Sequence, residues 1–134
     1  MSKKVEKIKA DGNILAIVIR CSYNKPGTNF MTPDNFPFQI GVHIRKAGSE
    51  VKAHRHIPFR DIKEMYPQEF FYVENGKIEV GLYNKKEFNS KIVLNRGDMI
   101  ILNCPHELRF LDTSKIVELK QGPYRGKNAE KEYF

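Results

Sequence analysis

The sequence predicts an all-β fold, and three observations carry that prediction. Its candidate strands are short, among them Ile14 to Cys21, Met99 to Leu102, His106 to Leu111 and Lys115 to Gln121. The last three follow one another at the spacing typical of β-sandwiches and barrels. Asn75-Gly76, set between two alternating runs, is the strongest short hairpin signal in the chain, a two-residue type I′ turn. With 134 residues, the chain is expected to form one domain with one core.

Residues 1–13 read as a Lys-rich N-terminal extension, and Ile14 to Cys21 as a buried strand, being continuously apolar between Asp11-Gly12-Asn13 and Ser22-Tyr23-Asn24. A leader peptide is the competing reading of this start. The apolar run is too short for it and ends in Arg20-Cys21 without a small-x-small cleavage pattern. No run approaches the length of a membrane span. Residues 22–38 are expected as a loop, broken at Pro26-Gly27, Pro33 and Pro37, with Phe30, Phe36 and Phe38 as apolar anchors. Gln39 to Arg45 alternates, with Ile40, Val42 and Ile44 on one face and Gln39, His43 and Arg45 on the other. His43 is therefore either a surface residue or one lining a substrate site.

A turn at Lys46 to Ser49 leads into an expected strand from Val51 to His56. On a strand, His54 and His56, two apart, project to one face, as joint ligation of a metal ion requires. Residues 57–68 are bracketed by Pro58 and Pro67, and Ile62, Met65 and Tyr66 sit at i, i+3, i+4, the pattern of one helical turn. Leaving at His56 and returning at Glu69, this insertion is expected to act as a lid. Arg60 within it is either an exposed charge or a fork for a substrate carboxylate or phosphate.

The hairpin at Asn75-Gly76 fixes an expected register: Glu74 opposite Lys77, Val73 opposite Ile78, Phe71 opposite Val80 and Glu69 opposite Leu82. Glu69 then stands on an otherwise apolar face, where a carboxylate needs a compensating partner. Phe70, Tyr72 and Tyr83 fall on the opposite face and suggest a homodimer interface. Lys85 to Ser90 reads as a polar turn, Lys91 to Leu94 as a strand and Asn95 to Asp98 as a tight turn. His106 shares parity with Leu108 and Phe110, so it too projects from an apolar face. The charged tail, residues 122–134, has no periodicity, and Tyr124 and Arg125 either fold over the mouth of the domain or fray.

Cys21 and Cys104 lack any partner pattern and read as free thiols in a reducing compartment, which makes the cytoplasm the default. The formal charge of +7 is scattered over both ends and the Lys85-Lys86 turn rather than striped along one element, which argues against nucleic acid. An overall positive field does favour anionic small substrates, such as phosphorylated or nucleotide-linked sugars.

Three imidazoles and a carboxylate, His54, His56, His106 and Glu69, could thus converge on one centre. Such a mixed N/O set suits a divalent transition ion with positions left open. The pattern Gly48, five residues, His54-x-His56, then Glu69, six residues, Gly76, resembles the first motif of the cupin superfamily. Gly97-Asp98, an apolar run and His106 resemble the second. Two departures stand out: twelve residues separate His56 from Glu69 where the family has a few, and Asn103-Cys104-Pro105 replaces the common Pro-x-Gly. The close from Val117 to Gly126 and the Gln68-Glu69 pair look like small single-domain cupins found among surface-polysaccharide genes.

The resemblance implies a cupin-type β-barrel (double-stranded β-helix or jelly roll) holding Fe, Mn, Ni, Co or Zn on His54, His56, Glu69 and His106. It also implies a sugar or sugar-nucleotide substrate, with Arg60, His43 and Tyr124 as candidate substrate contacts, and an isomerase or epimerase as the first reading. A non-haem iron dioxygenase and a non-catalytic, metal-anchored binding protein are the alternatives. The general base such an isomerase needs has no clear candidate beyond His43, Tyr72 or Glu64, and the expected hairpin register places Tyr72 outside.

Overall fold

A computed structural model describes residues 3–58, 66–122, 125–126, 129 and 131–134. The chain divides into two compact units, Met1–Tyr23 with Pro67–Phe134, and Asn24–Tyr66. The described residues are all-β, in three antiparallel sheets.

The first unit contains β1 (Val5–Ala10), β2 (Asn13–Ile19), β5 (Glu69–Asn75), β6 (Lys77–Asn84), β7 (Glu87–Asn95), β8 (Met99–Leu102), β9 (His106–Phe110) and β10 (Lys115–Lys120). The second contains β3 (Gly27–Phe30) and β4 (Gly41–Ile44). A five-stranded sheet runs in the order β1-β2-β8-β5-β10 and a three-stranded sheet in the order β7-β6-β9. The segment expected as an N-terminal extension thus supplies an edge strand, with Val5 opposite Ile19 and Ala10 opposite Asn13.

The hairpin expected at Asn75-Gly76 does not form. β5 pairs with β8 and β10, β6 pairs with β7 and β9, and the chain passes from one sheet to the other at this turn. Glu69 accordingly lies opposite Leu102 and Lys120, and Leu82 lies opposite His106. Gly76 still uses its special backbone, at φ 99°, but against the β9–β10 connection: Ser114 lies so close that a Cβ at Gly76 would sit 2.6 Å from the Ser114 Cα. Lys77 N–H donates to Ser114 Oγ at 3.0 Å, and Leu111 N–H donates to the Lys77 carbonyl at 3.0 Å. The tight hairpin in this region is instead at Lys85-Lys86, where Asn84 pairs with Glu87 and Lys85 takes φ 58°. This lengthens the expected strand at Lys91 to Leu94 into the whole of β7.

The two sheets share one core. Ala16, Val18, Phe71, Val73, Ile100 and Leu102 from the five-stranded sheet meet Ile78, Val80, Leu82 and Leu94 from the three-stranded one, all essentially inaccessible to water. Burying each of these larger side chains stabilises the fold by roughly 1.5–3 kcal/mol. Among the described residues the sheets form a sandwich, with no closed barrel. Ile17, Ile19 and Ile101, on the other face of the five-stranded sheet, are buried as well, as the unbroken apolar run at β2 predicts.

Phe70 and Tyr72 lie on that second face of the five-stranded sheet, whereas Tyr83 belongs to the three-stranded one, where it packs on Phe88 (5.8 Å between ring centroids) and Phe134 (5.4 Å). The common aromatic face that suggested a homodimer is therefore divided between two sheets.

The turn after β7 is held by Asp98. Its buried carboxylate accepts from Asn95 N–H (2.8 Å) and Cys21 N–H (3.1 Å) and pairs with Arg20 at 2.8 Å. Arg20 in turn reaches Glu6 at 3.3 Å and the Val93 carbonyl at 2.9 Å. The Gly97-Asp98 pair therefore has a structural role, tying β1, β2, β7 and β8 together at one corner.

In the second unit, β3 and β4 form an isolated antiparallel ribbon, with Thr28 opposite His43 and Phe30 opposite Gly41. Gln39 closes the connection between them: its amide donates to the carbonyls of Pro33 and Phe36, both at 2.9 Å, while its oxygen accepts from Thr32 Oγ1 at 2.9 Å. Residues 51–58 are exposed and form no strand, contrary to the expectation for Val51 to His56. Val51 and Ala53 alternate with Glu50 and Lys52 as a strand would, but no sheet covers them, and both stay exposed. The expected lid turn falls mostly on residues 59–65, outside the described residues.

Candidate metal centre

Glu69 opens β5 at the end of the five-stranded sheet, and the polar residues around it hold its backbone. Gln68, fully buried, donates its side-chain amide to Asn103 Oδ1 at 2.9 Å and its backbone N–H to Gln121 Oε1 at 2.7 Å. Asn103 donates onward to the Ile14 carbonyl at 3.1 Å. Alternation along β5 then puts Glu69 on the core face with Phe71 and Val73.

His106 opens β9 in the facing sheet, and its core-side parity with Leu108 is as the sequence predicts. The two side chains meet between the sheets, His106 Nε2 lying 3.5 Å from Glu69 Oε2, each side chain about one-fifth exposed. Phe71 sets its ring edge-to-face against the imidazole, with centroids 6.3 Å apart. His106 Nδ1 lies 2.8 Å from the Cys104 carbonyl, which has no hydrogen to offer, so Nδ1–H is the donor. That bond fixes the ring and turns Nε2 toward Glu69.

Glu118 on β10 completes this cluster, opposite Phe71 and two pairs along from the Lys120–Glu69 pair, on the same face. The hydrogen bond from His106 is the main cause that lowers the Glu69 pKa, against the opposing effect of burial. Burial raises the Glu118 pKa, and its hydrogen bond to Glu69 raises it further. Burial opposes a charge on His106, but the bonds to Glu69 and the Cys104 carbonyl, with the charges of Glu69 and Glu118, prevail and raise its pKa. Cys104 itself is pushed up to about 11 by burial.

In the second unit, His54 and His56 stand side by side, with ring centroids 5.3 Å apart at an interplanar angle of 70°. His54 repeats the His106 device: Nδ1–H donates to the carbonyl two residues earlier, Lys52, at 2.7 Å, leaving Nε2 outward. His43 is exposed on β4, its Nδ1 3.0 Å from Thr28 Oγ1. Arg60 and Tyr124, the other candidate substrate contacts, lie outside the described residues. Within either unit, among the described residues, no three His, Cys, Asp or Glu side chains form a group able to hold a metal ion.

Sequence reasoning missed Glu118, Gln68 and Asn103 as parts of this arrangement. The signal for Glu118 is the apolar parity of Ile116, which becomes readable once β10 rather than β6 is known to flank β5. No family model matches the chain, and no curated protein or solved structure matches it. Among the described residues, no helix is long and apolar enough to cross a membrane.

Proposed function

We propose that the chain is a metal-binding cupin acting on a sugar or sugar-nucleotide substrate, with His54, His56, Glu69 and His106 as the ligands of one divalent transition ion. The observation that carries the reading is the shared state of His54 and His106, each giving Nδ1–H to a backbone carbonyl and so keeping Nε2 clear of the backbone. A carbonyl on the far nitrogen is the usual support of a metal-ligating imidazole, because it fixes the tautomer and the ring orientation. The donor set fits: two tautomer-fixed imidazoles, a neighbouring third and a carboxylate whose lowered pKa keeps it ionised.

The jelly-roll form of the fold belongs to the same proposal. The facing antiparallel sheets and the meeting of β5 and β9 side chains between them support it.

A bound ion would polarise a substrate carbonyl or hydroxyl. The chain's own residues supply the rest. Glu69 and His106 hold the inner wall of the site, Phe71 excludes water on one side, and Glu118, its pKa raised by burial and by the hydrogen bond to Glu69, stands beside them. By its place next to Glu69, Glu118 joins His43, Tyr72 and Glu64 as a candidate for the proton-transferring group.

Metal analysis of protein purified without added metal, followed by assay of keto-sugar nucleotides, tests this reading. A stoichiometric transition metal and metal-dependent exchange of a sugar C–H with solvent deuterium are expected. Substrate-dependent O₂ consumption by the iron form would replace it with an oxygenase, and a bound sugar that never turns over with a binding protein.

A further inference from the structure

One face of the β3–β4 ribbon gathers groups that the metal chemistry does not use. Thr28, Phe30 and His43 project from it, Thr28 and His43 as a directly opposed pair, and Arg45 follows His43 by two residues, at the same parity. Arg45 donates to Thr28 Oγ1 at 3.0 Å. With that lone pair occupied, the Thr28 hydroxyl is placed to donate to His43 Nδ1 at 3.0 Å, which leaves His43 Nε2–H as an outward donor. The remaining guanidinium N–H groups of Arg45 have no acidic partner among the described residues. The result is a fork and a ring N–H held side by side, donors without an acceptor, which is the complement of a phosphate.

Phe30 stands two residues from Thr28, about 7 Å along the strand. Its ring lies across Gly41, so closely that a Cβ there would sit 2.9 Å from the ring atoms, and the side chain is still 61% exposed. Gly41 thus lets an aromatic ring lie down on the ribbon with its other face open. A large exposed aromatic beside phosphate donors is a stacking platform for a base. Around it, residues 24–58 carry Lys25, Arg45, Lys46, Lys52 and Arg55 against Asp34 and Glu50 alone.

We propose that this face binds a nucleoside diphosphate, with the base on Phe30 and the phosphates on Arg45, His43 and Thr28. This deepens the sugar-nucleotide reading above, and rests on it only for the chemistry carried out on the attached sugar. The scattered charge of the chain, and the four-residue length of each strand, favour a single nucleotide over a polymer.

Calorimetric titration of the full chain in EDTA with UDP, inorganic pyrophosphate and a mixed-sequence oligonucleotide tests it, because chelation separates this site from any metal. UDP is expected to bind. Arg45→Gln should weaken UDP and pyrophosphate together by about tenfold. Phe30→Ala should weaken UDP by about tenfold and leave pyrophosphate unchanged. Both positions are exposed, and unchanged melting of the variants verifies folding. No binding of UDP by the wild type, equal binding by both variants, or an oligonucleotide that displaces UDP at equal phosphate concentration would overturn the proposal. If UDP binding survives while His106→Ala leaves metal content unaltered, the metal reading fails and this one stands.

Discussion

Glu69 and His106 approach to 3.5 Å from opposite sheets of the sandwich, Oε2 to Nε2, with the far nitrogen of the imidazole tied to the Cys104 carbonyl. The same Nε2 that would hold a metal is, without one, the natural seat of a proton. Proton and metal therefore compete for a single atom, and the competition has consequences that can be measured.

The first concerns stability against pH in metal-free protein. His106 has its pKa raised above 6.5, so its contribution is fully present below 6.5 and is lost as pH rises through the folded value. Glu69 has its pKa lowered below 4.5, so its contribution is present above 4.5 and is lost as pH falls through the folded value. The stability gap between wild type and Glu69→Gln should be widest between those two values, at about 1 kcal/mol, and should narrow on either side. Urea titrations at a series of pH values in EDTA check this. A gap that is flat with pH would show that the pair is not formed.

Gly97 should not tolerate a side chain. It takes φ 86°, and a Cβ there would lie 2.5 Å from Cys21 Sγ. Gly97→Ala is expected to cost about 1–3 kcal/mol through backbone strain and the clash. The double variant with Cys21→Gly removes the clash and should recover part of that loss, measured as a rise in Tm.

Asp98→Asn should destabilise the corner formed by β1, β2 and the β7–β8 turn. The substitution keeps the shape but removes the charge that faces Arg20, and forces an amide N–H₂ toward at least one donor. A loss of about 2 kcal/mol or more is expected from the charged hydrogen bonds alone, read as a lower denaturation midpoint with unchanged metal content.

The two thiols should differ in reactivity. Cys104 is half-buried with its pKa raised to about 11, whereas Cys21 is exposed. At pH 8 iodoacetamide should label Cys21 first and leave Cys104 unmodified until the protein is denatured, since only the thiolate attacks. Mass spectrometry of tryptic peptides reads the order.

The all-β class and the core faces of β2, β5 and β9 were legible because burial on one or both faces leaves a periodic trace in the residues themselves. Which strands are neighbours was not. Asn75-Gly76 signals a residue that needs positive φ, and the chain does use it at φ 99°, but a positive φ serves a passage between sheets as well as a hairpin. Pairing β5 with β6 puts Leu82 beside Glu69 and hides Glu118, which sits next door only because β10 is the true neighbour. His54-x-His56 was legible as a pair, and the rings are close, yet on an exposed segment rather than a strand. The Gly97-Asp98 pair is legible only by its place in a motif. The bonds from Asp98 to Arg20, Cys21 and Asn95 depend largely on contacts far apart in sequence, which no local pattern records.

The central claim is that His106 and Glu69, with His54 and His56, grip one cation. Titration of metal-free protein with Co²⁺ at pH 7.5, followed by its visible absorption, tests it most directly. One ion per chain is expected in the wild type, with affinity lowered by tenfold or more in each of His54→Ala, Glu69→Gln and His106→Ala, as loss of a ligand requires. Binding of equal strength and stoichiometry in the wild type and all three variants would contradict it.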